Sequence, residues 1–264
     1  MTAKMIGVVG GVGSYAGIDL IRKIYDHTDA ASDQEHLPVS LLSVPHSIVD
    51  RTDFILGKTT VNPGIAIAEV ISKLTAMGAE VIGIPCNTAH APMIYDVIAA
   101  NTVSSCKLIH MVGEVADYLK NSHSYVRRVG ILGTTGTISV GVYTHLLSQY
   151  NIEVIYPSED IQNLFVHSAI YDVAYGIKSC SNPVSTKAKN NLSMAASFLS
   201  REGAEAIVMA CTEIPLALTE NAIEKIPLID ATTILAKALI RESLSKNSLP
   251  NKTPVVNDID TVTA

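Results

Sequence analysis

The chain has 264 residues, of which 48% are hydrophobic and 17% charged, with a formal net charge of -6 and a pI near 5.7. This composition excludes a disordered protein, and the negative charge gives no long-range attraction to nucleic acid or to an anionic membrane surface. No apolar stretch reaches the roughly 20 residues that span a bilayer, and the start MTAKMIGVVGGVG predicts a first strand and not a signal peptide. The sequence therefore predicts a cytoplasmic protein.

Short β-branched runs alternate along the chain with longer segments whose apolar residues recur at helical spacing. The runs predict buried parallel strands at 5–10, 39–44, 81–86, 129–134 and 206–211. The longer segments predict helices at 16–27, 64–77, 140–149, 190–202 and 230–245. This alternation is typical of doubly wound α/β folds. The tail 247–264, rich in Asn, Pro, Asp and Thr, is expected to be loosely ordered.

An approximate internal repeat predicts two lobes. VVGGVGS (8–14) is similar to ILGTTGT (131–137), and a strand ending in cysteine follows each glycine loop, in IPCNTAH and in MACTEIP. The separation from Gly10 to Cys86 nearly equals that from Gly133 to Cys211. We therefore expect two pseudo-symmetric lobes, each a mostly parallel sheet flanked by helices, with the active site between them. The first comprises 1–108 and 225–264, and the second comprises 109–224.

Cysteines are the strongest candidates for chemistry. Cys86 and Cys211 each end a predicted strand, where open α/β sheets place their ligands, and the following helix can stabilise a thiolate. The alternative is that each is a small buried hydrophobic residue. Cys106 and Cys180 lack this setting and are interpreted as structural thiols. The cysteines have no CxxC spacing and no nearby histidine pair, so no metal site is expected.

The chain resembles the aspartate/glutamate racemase family, and within it the aspartate racemase type. The resemblance extends to about residue 239, through GGVGSYAGIDLIRKI, SIVDRTDFIL, IPCNTAH, ILGTTGT, AIYDVAYGIK and MACTEIPL. IPCNTAH and MACTEIPL at this separation are the specific signals, since glycine loops alone are weak ones. The resemblance implies a pyridoxal-independent enzyme with no cofactor, two α/β lobes, an acidic amino acid as substrate, and a homodimer.

The same resemblance implies roles for particular residues. Cys86 and Cys211 would exchange the α-proton from opposite faces of the substrate. Arg51 in SIVDRTDF would recognise a carboxylate, and Lys178 in AIYDVAYGIK would close over the acidic side chain. The alternative for both cations is a solvated surface charge. Glu213 would contact the substrate ammonium or cap the next helix.

Small polar residues after the strands complete the predicted site. Those suited to hold the α-carboxylate and ammonium are Asn87, Thr88, Thr134, Thr135 and Thr212. Helix capping is the alternative for each hydroxyl. Gly11 and Val12 belong to a loop expected to border the substrate, although Val12 and Ser14 stand where the family usually has Met and Pro. His90 and His110 are expected to have structural roles, although a histidine near a cysteine can form a nucleophilic pair.

Other functions compete with aspartate racemisation. Within the superfamily the alternatives are a glutamate or broad-specificity amino-acid racemase and a hydantoin or maleate isomerising enzyme. Arg51 and Lys178 favour a free acidic amino acid as the substrate over these alternatives. A non-catalytic amino-acid-binding module would need no thiol on each side. A nucleotide-binding enzyme is disfavoured because GVVGGVGS does not complete the motif G-x-G-x-x-G. After Gly11 and Gly13, the position of the third glycine is occupied by Ala16.

Overall fold

The computed structural model describes residues 3–245, and the tail 247–264, expected to be loose, lies outside them. The strands are β1 (Met5–Gly10), β2 (Val39–Ser43), β3 (Ala79–Gly83), β4 (Lys107–Ile109), β5 (Arg128–Gly133), β6 (Glu153–Ile155), β7 (Ala206–Ala210), β8 (Ala222–Ile223) and β9 (Ile226–Asp230). The helices are α1 (Ser14–Asp26), α2 (Arg51–Ile55), α3 (Pro63–Ala76), α4 (Pro92–Ala100), α5 (Met111–Ser122), α6 (Thr135–Ser139), α7 (Val142–Ser148), α8 (Glu159–Ile161), α9 (Ser168–Tyr171), α10 (Thr186–Arg201), α11 (Ile214–Ala217) and α12 (Ala231–Leu244). A π-helical segment, 162–167, joins α8 to α9.

The strands form two sheets of the same topology. The first has the order β2-β1-β3-β4 and is parallel throughout. The second has the order β6-β5-β7-β9-β8, in which only the short β8 is antiparallel to its neighbour. Because β1 and β5 occupy equivalent places, as do β3 and β7, the sequence repeat corresponds to a structural repeat. The predicted α/β fold with two mostly parallel sheets flanked by helices is confirmed.

The last helix of each unit packs on the other unit. After β4 the chain continues into α5, which packs against α7 of the second unit. After β9 it continues into α12, which packs against α1 and β3 of the first. The division of the chain into lobes at 108/109 and 224/225 stays a prediction. At each of these two boundaries, however, a strand pairs with the sheet on the other side of the predicted division. Ile109 ends a strand of the first sheet, and β9 pairs with β7 of the second.

A hydrophobic core lies between the two sheets. It contains side chains from both sheets and from both crossing helices, for example Val8, Leu119, Val208 and Leu239, all buried. Burial of one such side chain contributes about 1.5 to 3 kcal/mol, so this shared core resists separation of the lobes. The loops after β1, β3, β5 and β7 are therefore held on a rigid support.

Candidate active site

The two candidate cysteines lie at equivalent strand ends. Cys211 directly follows β7, and Cys86 follows β3 after Ile84 and Pro85. Both are buried, with 4% and 6% of their surface exposed. The polar residues that come after these strands and after β5 lie on the same side of the sheets, because carboxyl ends of parallel strands meet at one edge.

A small cavity lies between the lobes at this edge. Its lining is Val12, Asp50, Arg51, Thr52, Cys86, Asn87, Thr88, Thr134, Tyr171, Lys178, Cys211, Thr212 and Glu213. The structure therefore brings nearly all of the predicted site residues together. The volume of the cavity is about 10 Å³, which is room for about one water molecule. An amino acid enters only when some lining side chains move.

A wider outer cavity of about 510 Å³ adjoins the inner one. The two cavities share Asp50, Arg51, Lys178 and Glu213 in their linings. These four charged side chains form the wall between the closed inner cavity and the open outer one. A substrate that reaches the cysteines from the outer cavity passes between two cations and two carboxylates.

Arg51 is a buried cation beside Cys86. It is the first residue of α2, whose N-terminus is capped by the Asp50 carboxylate, and its Nη2 donates to the carbonyl of Val12. Its Nε has no hydrogen-bond partner within the described chain. Burial acts to lower the pKa of Arg51, but the adjacent Cys86 and Asp50 raise it above its ordinary value. Arg51 therefore stays charged beside Cys86 and has an N–H free for an incoming acceptor.

Cys211 has the opposite surroundings. Its Sγ donates to Glu213 Oε2 at 3.0 Å. Burial, and then the negative charge of Glu213, raise the pKa of Cys211 well above its ordinary value, against the opposing effect of Lys178. Cys211 is thus a protonated thiol at neutral pH. The pair is electrostatically asymmetric, with one sulfur next to a cation and the other next to a carboxylate.

Lys178 faces the cavity from the other wall. Its Nζ lies 3.8 Å from Asp50 Oδ2 and 3.6 Å from Glu213 Oε1, and 5.1 Å from the ring centre of Tyr171. Burial works against its charge, but Glu213 raises the pKa of Lys178. Both ion-pair distances exceed those of hydrogen bonds, so a substrate carboxylate can take the ammonium without breaking a short bond.

Asn87 and Thr88 lie in a short 3₁₀ turn, Asn87–His90, after Cys86. Asn87 Oδ1 accepts a hydrogen bond from Tyr143, whereas its Nδ2 is buried without a partner in the described residues. Thr88 Oγ1 lies 3.0 Å from Thr134 Oγ1. An unpartnered buried N–H₂ group is costly unless a ligand supplies an acceptor. It therefore marks a place in the cavity that suits a hydrogen-bond acceptor of a ligand.

The threonines have two kinds of role. The hydroxyls of Thr88, Thr134 and Thr137 form a closed triad across the lobes, and Thr134 also caps α6 through the Thr137 N–H. Thr212 Oγ1 donates to the carbonyl of Pro85 in the other lobe. The capping interpretation is thus correct for Thr134, which nevertheless lines the cavity. Each hydroxyl proton of the triad can bond a neighbouring hydroxyl, so a ligand that accepts from Thr88 or Thr134 replaces one of these bonds.

Two predicted site residues lie outside the inner cavity. Thr135 is the first residue of α6, and its Oγ1 lies 3.4 Å from both His167 Nδ1 and Gln162 Nε2. Its side chain therefore contacts the π-helical segment and not the cavity. Gly11 lines the outer cavity with φ of +82°, and a Cβ there would come within 2.8 Å of the Pro45 nitrogen. Its contribution is a turn that only glycine adopts easily.

His90 and His110 have structural contacts. His90 Nε2 accepts from the Met111 N–H, so its Nδ1 carries the proton and donates to the Cys86 carbonyl at 2.8 Å. Burial lowers the pKa of His90 to about 3, so the ring is neutral. His110 caps α5 through the Gly113 N–H. Neither histidine forms a hydrogen bond with a cysteine sulfur in the described residues, which fits the structural role expected for both.

Some cavity residues were missed by the sequence analysis. Asp50, Thr52 and Tyr171 line the cavity, and Tyr171 donates to Thr52 Oγ1 at 3.0 Å across the lobes. All three belong to segments that had been singled out for Arg51 and Lys178, so adjacency to those cations was the available signal. Within residues 3–245 no cluster of three or more His, Cys, Asp or Glu residues could hold a metal ion, and no helix could cross a membrane.

Comparison with known proteins gives a consistent result. A family model described as Asp/Glu/Hydantoin racemase matches residues 9–239. The chain is 26% identical over 250 residues to the Bacillus subtilis (strain 168) broad specificity amino-acid racemase RacX, covering 92% of this chain and 100% of that protein. It is similar to the structure of Picrophilus torridus aspartate racemase, with 30% identity, a TM-score of 0.75, and coverage of 91% and 94% of the two chains. A putative Asp/Glu racemase from Yersinia pestis has 26% identity and a TM-score of 0.69, covering 92% of this chain and 100% of that one.

Two buried thiols at duplicated strand ends line one cavity together with two cations, Arg51 and Lys178, in a two-lobed α/β fold. The family match is more specific, because it extends through both lobes and includes both cysteine motifs. The chain belongs to the Asp/Glu/hydantoin racemase family. The predicted family is confirmed, and with it, at the level of the family, the prediction of an amino-acid racemase.

Proposed function

We propose that this protein racemises an acidic amino acid, foremost aspartate, with Cys86 and Cys211 as the two acid/base groups. One observation carries the proposal: two buried thiols from equivalent strand ends line a single cavity together with two cations, Arg51 and Lys178. Arg51 Nε has no hydrogen-bond partner in the described residues, and Lys178 Nζ lies beyond hydrogen-bond distance of Asp50 and Glu213, so a second substrate carboxylate would give both cations a close partner.

The electrostatic asymmetry of the cysteines assigns their starting roles. In this proposal Cys86, which lines the cavity beside Arg51, acts as the base that takes the Cα proton, and Cys211, a thiol hydrogen-bonded to Glu213, gives its proton to the opposite face. One turnover leaves Cys86 as a thiol and Cys211 as a thiolate, which is the form that acts on the other enantiomer. Because the two sulfurs come from different lobes, proton removal on one side and return on the other invert Cα.

The remaining polar groups stabilise the carbanion-like state. Asn87 Nδ2 is a donor for the α-carboxylate, where negative charge develops as the proton leaves, and the Thr88 or Thr134 hydroxyl adds a second donor when it turns away from the triad. The Thr212 hydroxyl stays bonded to the Pro85 carbonyl. Arg51 Nε and Lys178 Nζ bind the side-chain carboxylate, and the Glu213 carboxylate faces the ammonium. Most of the side chains that line the cavity are buried, so these interactions are screened less than in solution.

The test is racemisation by purified protein, without added pyridoxal phosphate, of L-aspartate, L-glutamate, L-asparagine and L-alanine. We expect optical rotation to decay to zero fastest for aspartate, because its side chain reaches both cations. Equal rates for aspartate and asparagine would contradict the acidic preference. No loss of optical activity with any of the four would contradict amino-acid racemisation as proposed.

A broad-specificity amino-acid racemase is the second candidate. The outer cavity favours it, since about 510 Å³ accommodates side chains larger than those of aspartate, and Asp50 and Glu213 face it as well as the cations. The similar protein from Bacillus subtilis carries that description. Adding L-lysine and L-tyrosine to the panel distinguishes the two, since only a broad enzyme turns over all of them at comparable rates.

The homodimer and the cytoplasmic location remain predictions. Light scattering during gel filtration would measure the mass directly, and we expect twice the 28.1 kDa of one chain. A mass of one chain at micromolar concentration would contradict the dimer.

A further inference from the structure

A buried tyrosine outside the cavity contacts a residue that lines it. Tyr143 on α7 is fully buried, and its hydroxyl donates to Asn87 Oδ1 at 2.6 Å. Tyr143 belongs to the second lobe and Asn87 to the first, so this short bond joins the lobes beside the cysteines. The tyrosine itself does not line the cavity.

The bond determines which end of the Asn87 amide faces the cavity. Tyr143 has no other hydrogen-bond partner in the described residues, so its proton needs Oδ1 as acceptor. With the amide reversed, the Nδ2 group would face the tyrosine oxygen, and the hydroxyl proton would be buried without an acceptor. Leaving a buried donor unsatisfied costs about 1 to 3 kcal/mol. The amide therefore keeps Oδ1 toward Tyr143 and the unpartnered Nδ2 toward the cavity.

The charge of the tyrosine does not change under ordinary conditions. Burial raises the pKa of Tyr143 well above its ordinary value, so the hydroxyl keeps its proton at every pH at which the enzyme would be assayed. Because the Tyr143 hydroxyl always donates to Asn87 Oδ1, the other end of the amide, Nδ2, always faces the cavity as a donor. An acceptor-bearing group then binds in the cavity at Asn87, and an ammonium does not.

We propose that Tyr143 is a positioning residue, which fixes the Asn87 amide so that Nδ2 donates to the α-carboxylate of the substrate. This rests on the proposed racemase function and adds the residue that orients the amino acid at Cα. The substrate ammonium is thereby directed away from Asn87, toward the carboxylate of Glu213. The orientation in turn determines which face of Cα meets each cysteine.

The test is a double-mutant cycle on racemisation of L-aspartate. Tyr143→Phe removes only the hydroxyl, and we expect kcat/KM to fall about tenfold, the equivalent of one hydrogen bond of about 1.4 kcal/mol. In an Asn87→Ala background the same substitution should change kcat/KM less than about twofold, because its effect passes through the amide. Tyr156→Phe is the matched control: its hydroxyl bonds Thr144 at 2.7 Å, outside the cavity, and its loss should leave kcat/KM unchanged.

A purely structural role for Tyr143 gives different results. If Tyr143→Phe lowered kcat/KM equally in the presence and absence of the Asn87 side chain, the proposal would be overturned. If the phenylalanine variant does not fold, Asn87→Asp replaces it, since aspartate still accepts from Tyr143 but presents a carboxylate to the cavity. We expect Asn87→Asp to lose more kcat/KM for aspartate than Asn87→Ala does, and a loss equal to or smaller than that of alanine would overturn the proposal.

A readout without substrate separates this proposal from the racemase function. The Asn87 side-chain N–H₂ signals in a ¹⁵N NMR spectrum are identified by their absence in Asn87→Ala. We expect Tyr143→Phe to shift them and Tyr156→Phe to leave them in place. Inactive wild-type protein that shows this pattern would contradict the racemase function alone. Unshifted signals in Tyr143→Phe would overturn the positioning role, whether or not the protein racemises aspartate.

Discussion

Replacement of Arg51 by lysine keeps the positive charge beside Cys86 but removes the planar fork of N–H donors. In the structure Nη2 is committed to the carbonyl of Val12 and Nη1 lies 3.4 Å from the carbonyl of Val49, while Nε is buried without a partner in the described chain. A lysine has one nitrogen for all of these acceptors. It cannot hold the Val12 carbonyl and also receive a carboxylate through two N–H groups.

The expected loss follows from the hydrogen bonds removed. A hydrogen bond to a charged group contributes about 1.5 to 3 kcal/mol, or about tenfold to 150-fold in a rate or binding constant. We expect Arg51→Lys to lose about one such bond to the side-chain carboxylate, and therefore about 10- to 100-fold in kcat/KM for L-aspartate.

The assay compares L-aspartate with its neutral isostere L-asparagine. The kcat/KM of L-aspartate is measured by polarimetry, and the inhibition constant of L-asparagine should stay within about threefold of wild type, since its amide makes no ion pair. Arg201→Lys on the exposed end of α10 is the matched control and should change neither quantity. Equal losses for the aspartate and asparagine constants in Arg51→Lys would refute the role of Arg51 as a carboxylate ligand.

Three further predictions follow from the surroundings of individual groups. Burial lowers the pKa of His90 to about 3 from an unfolded value of 6.5, so its neutral form contributes stability above pH 6.5 that is lost as the pH falls toward 3, by at most about 1.4 kcal/mol per pH unit. In urea denaturation between pH 6.5 and 4, His90→Gln should therefore lose stability less steeply than wild type, and parallel pH profiles would contradict this. Glu213→Gln removes a carboxylate that raises the pKa of Cys211, so the alkaline limb of its kcat profile should move to lower pH, and a shift to higher pH would be inconsistent with the assignment. Thr134→Ala should reduce kcat/KM for aspartate. Thr135→Ala should leave kcat/KM within about twofold of wild type, because the Thr135 hydroxyl faces the π-helical segment. Equal losses in the two variants would contradict the placement of Thr135 outside the cavity.

Much of the fold could be predicted from the sequence because the strongest strands are buried on both faces. The runs predicted at 5–10, 129–134 and 206–211 became β1, β5 and β7 with bounds within one residue of those predicted. The short β4, β6 and β9 were missed. Each has only three to five residues and is partly exposed, so the apolar run that identifies a central strand is too short or too mixed to recognise.

The residues of β9 were placed in the wrong sheet by the sequence analysis. Helical periodicity predicted α12, and the predicted boundary at 224/225 placed the segment before this helix in the first lobe as well. In the structure the chain crosses between lobes after Asp230, which ends β9 and caps α12. Long-range strand pairing has no local sequence signature, so the repeat alone could not locate this crossing.

The candidate site was predictable where the side chain directly follows a strand. Cys86, Asn87, Thr134 and Cys211 lie at strand ends, and the sheet topology brings them together. Thr135 was predicted with its neighbour, but one residue along a helix rotates a side chain by about 100°, which takes it out of the cavity. Tyr143 acts through a contact between the two lobes, which only the packed structure displays.

The central claim is that Cys86 and Cys211 each work on one face of the same α-carbon. The most direct measurement follows L-aspartate in deuterium oxide, by proton NMR at Cα and by circular dichroism, with wild-type protein and with folded Cys86→Ala and Cys211→Ala variants. We predict deuterium incorporation together with loss of optical activity in the wild type, and loss of racemisation in both variants. Near-normal racemisation by either folded variant would contradict the two-cysteine account.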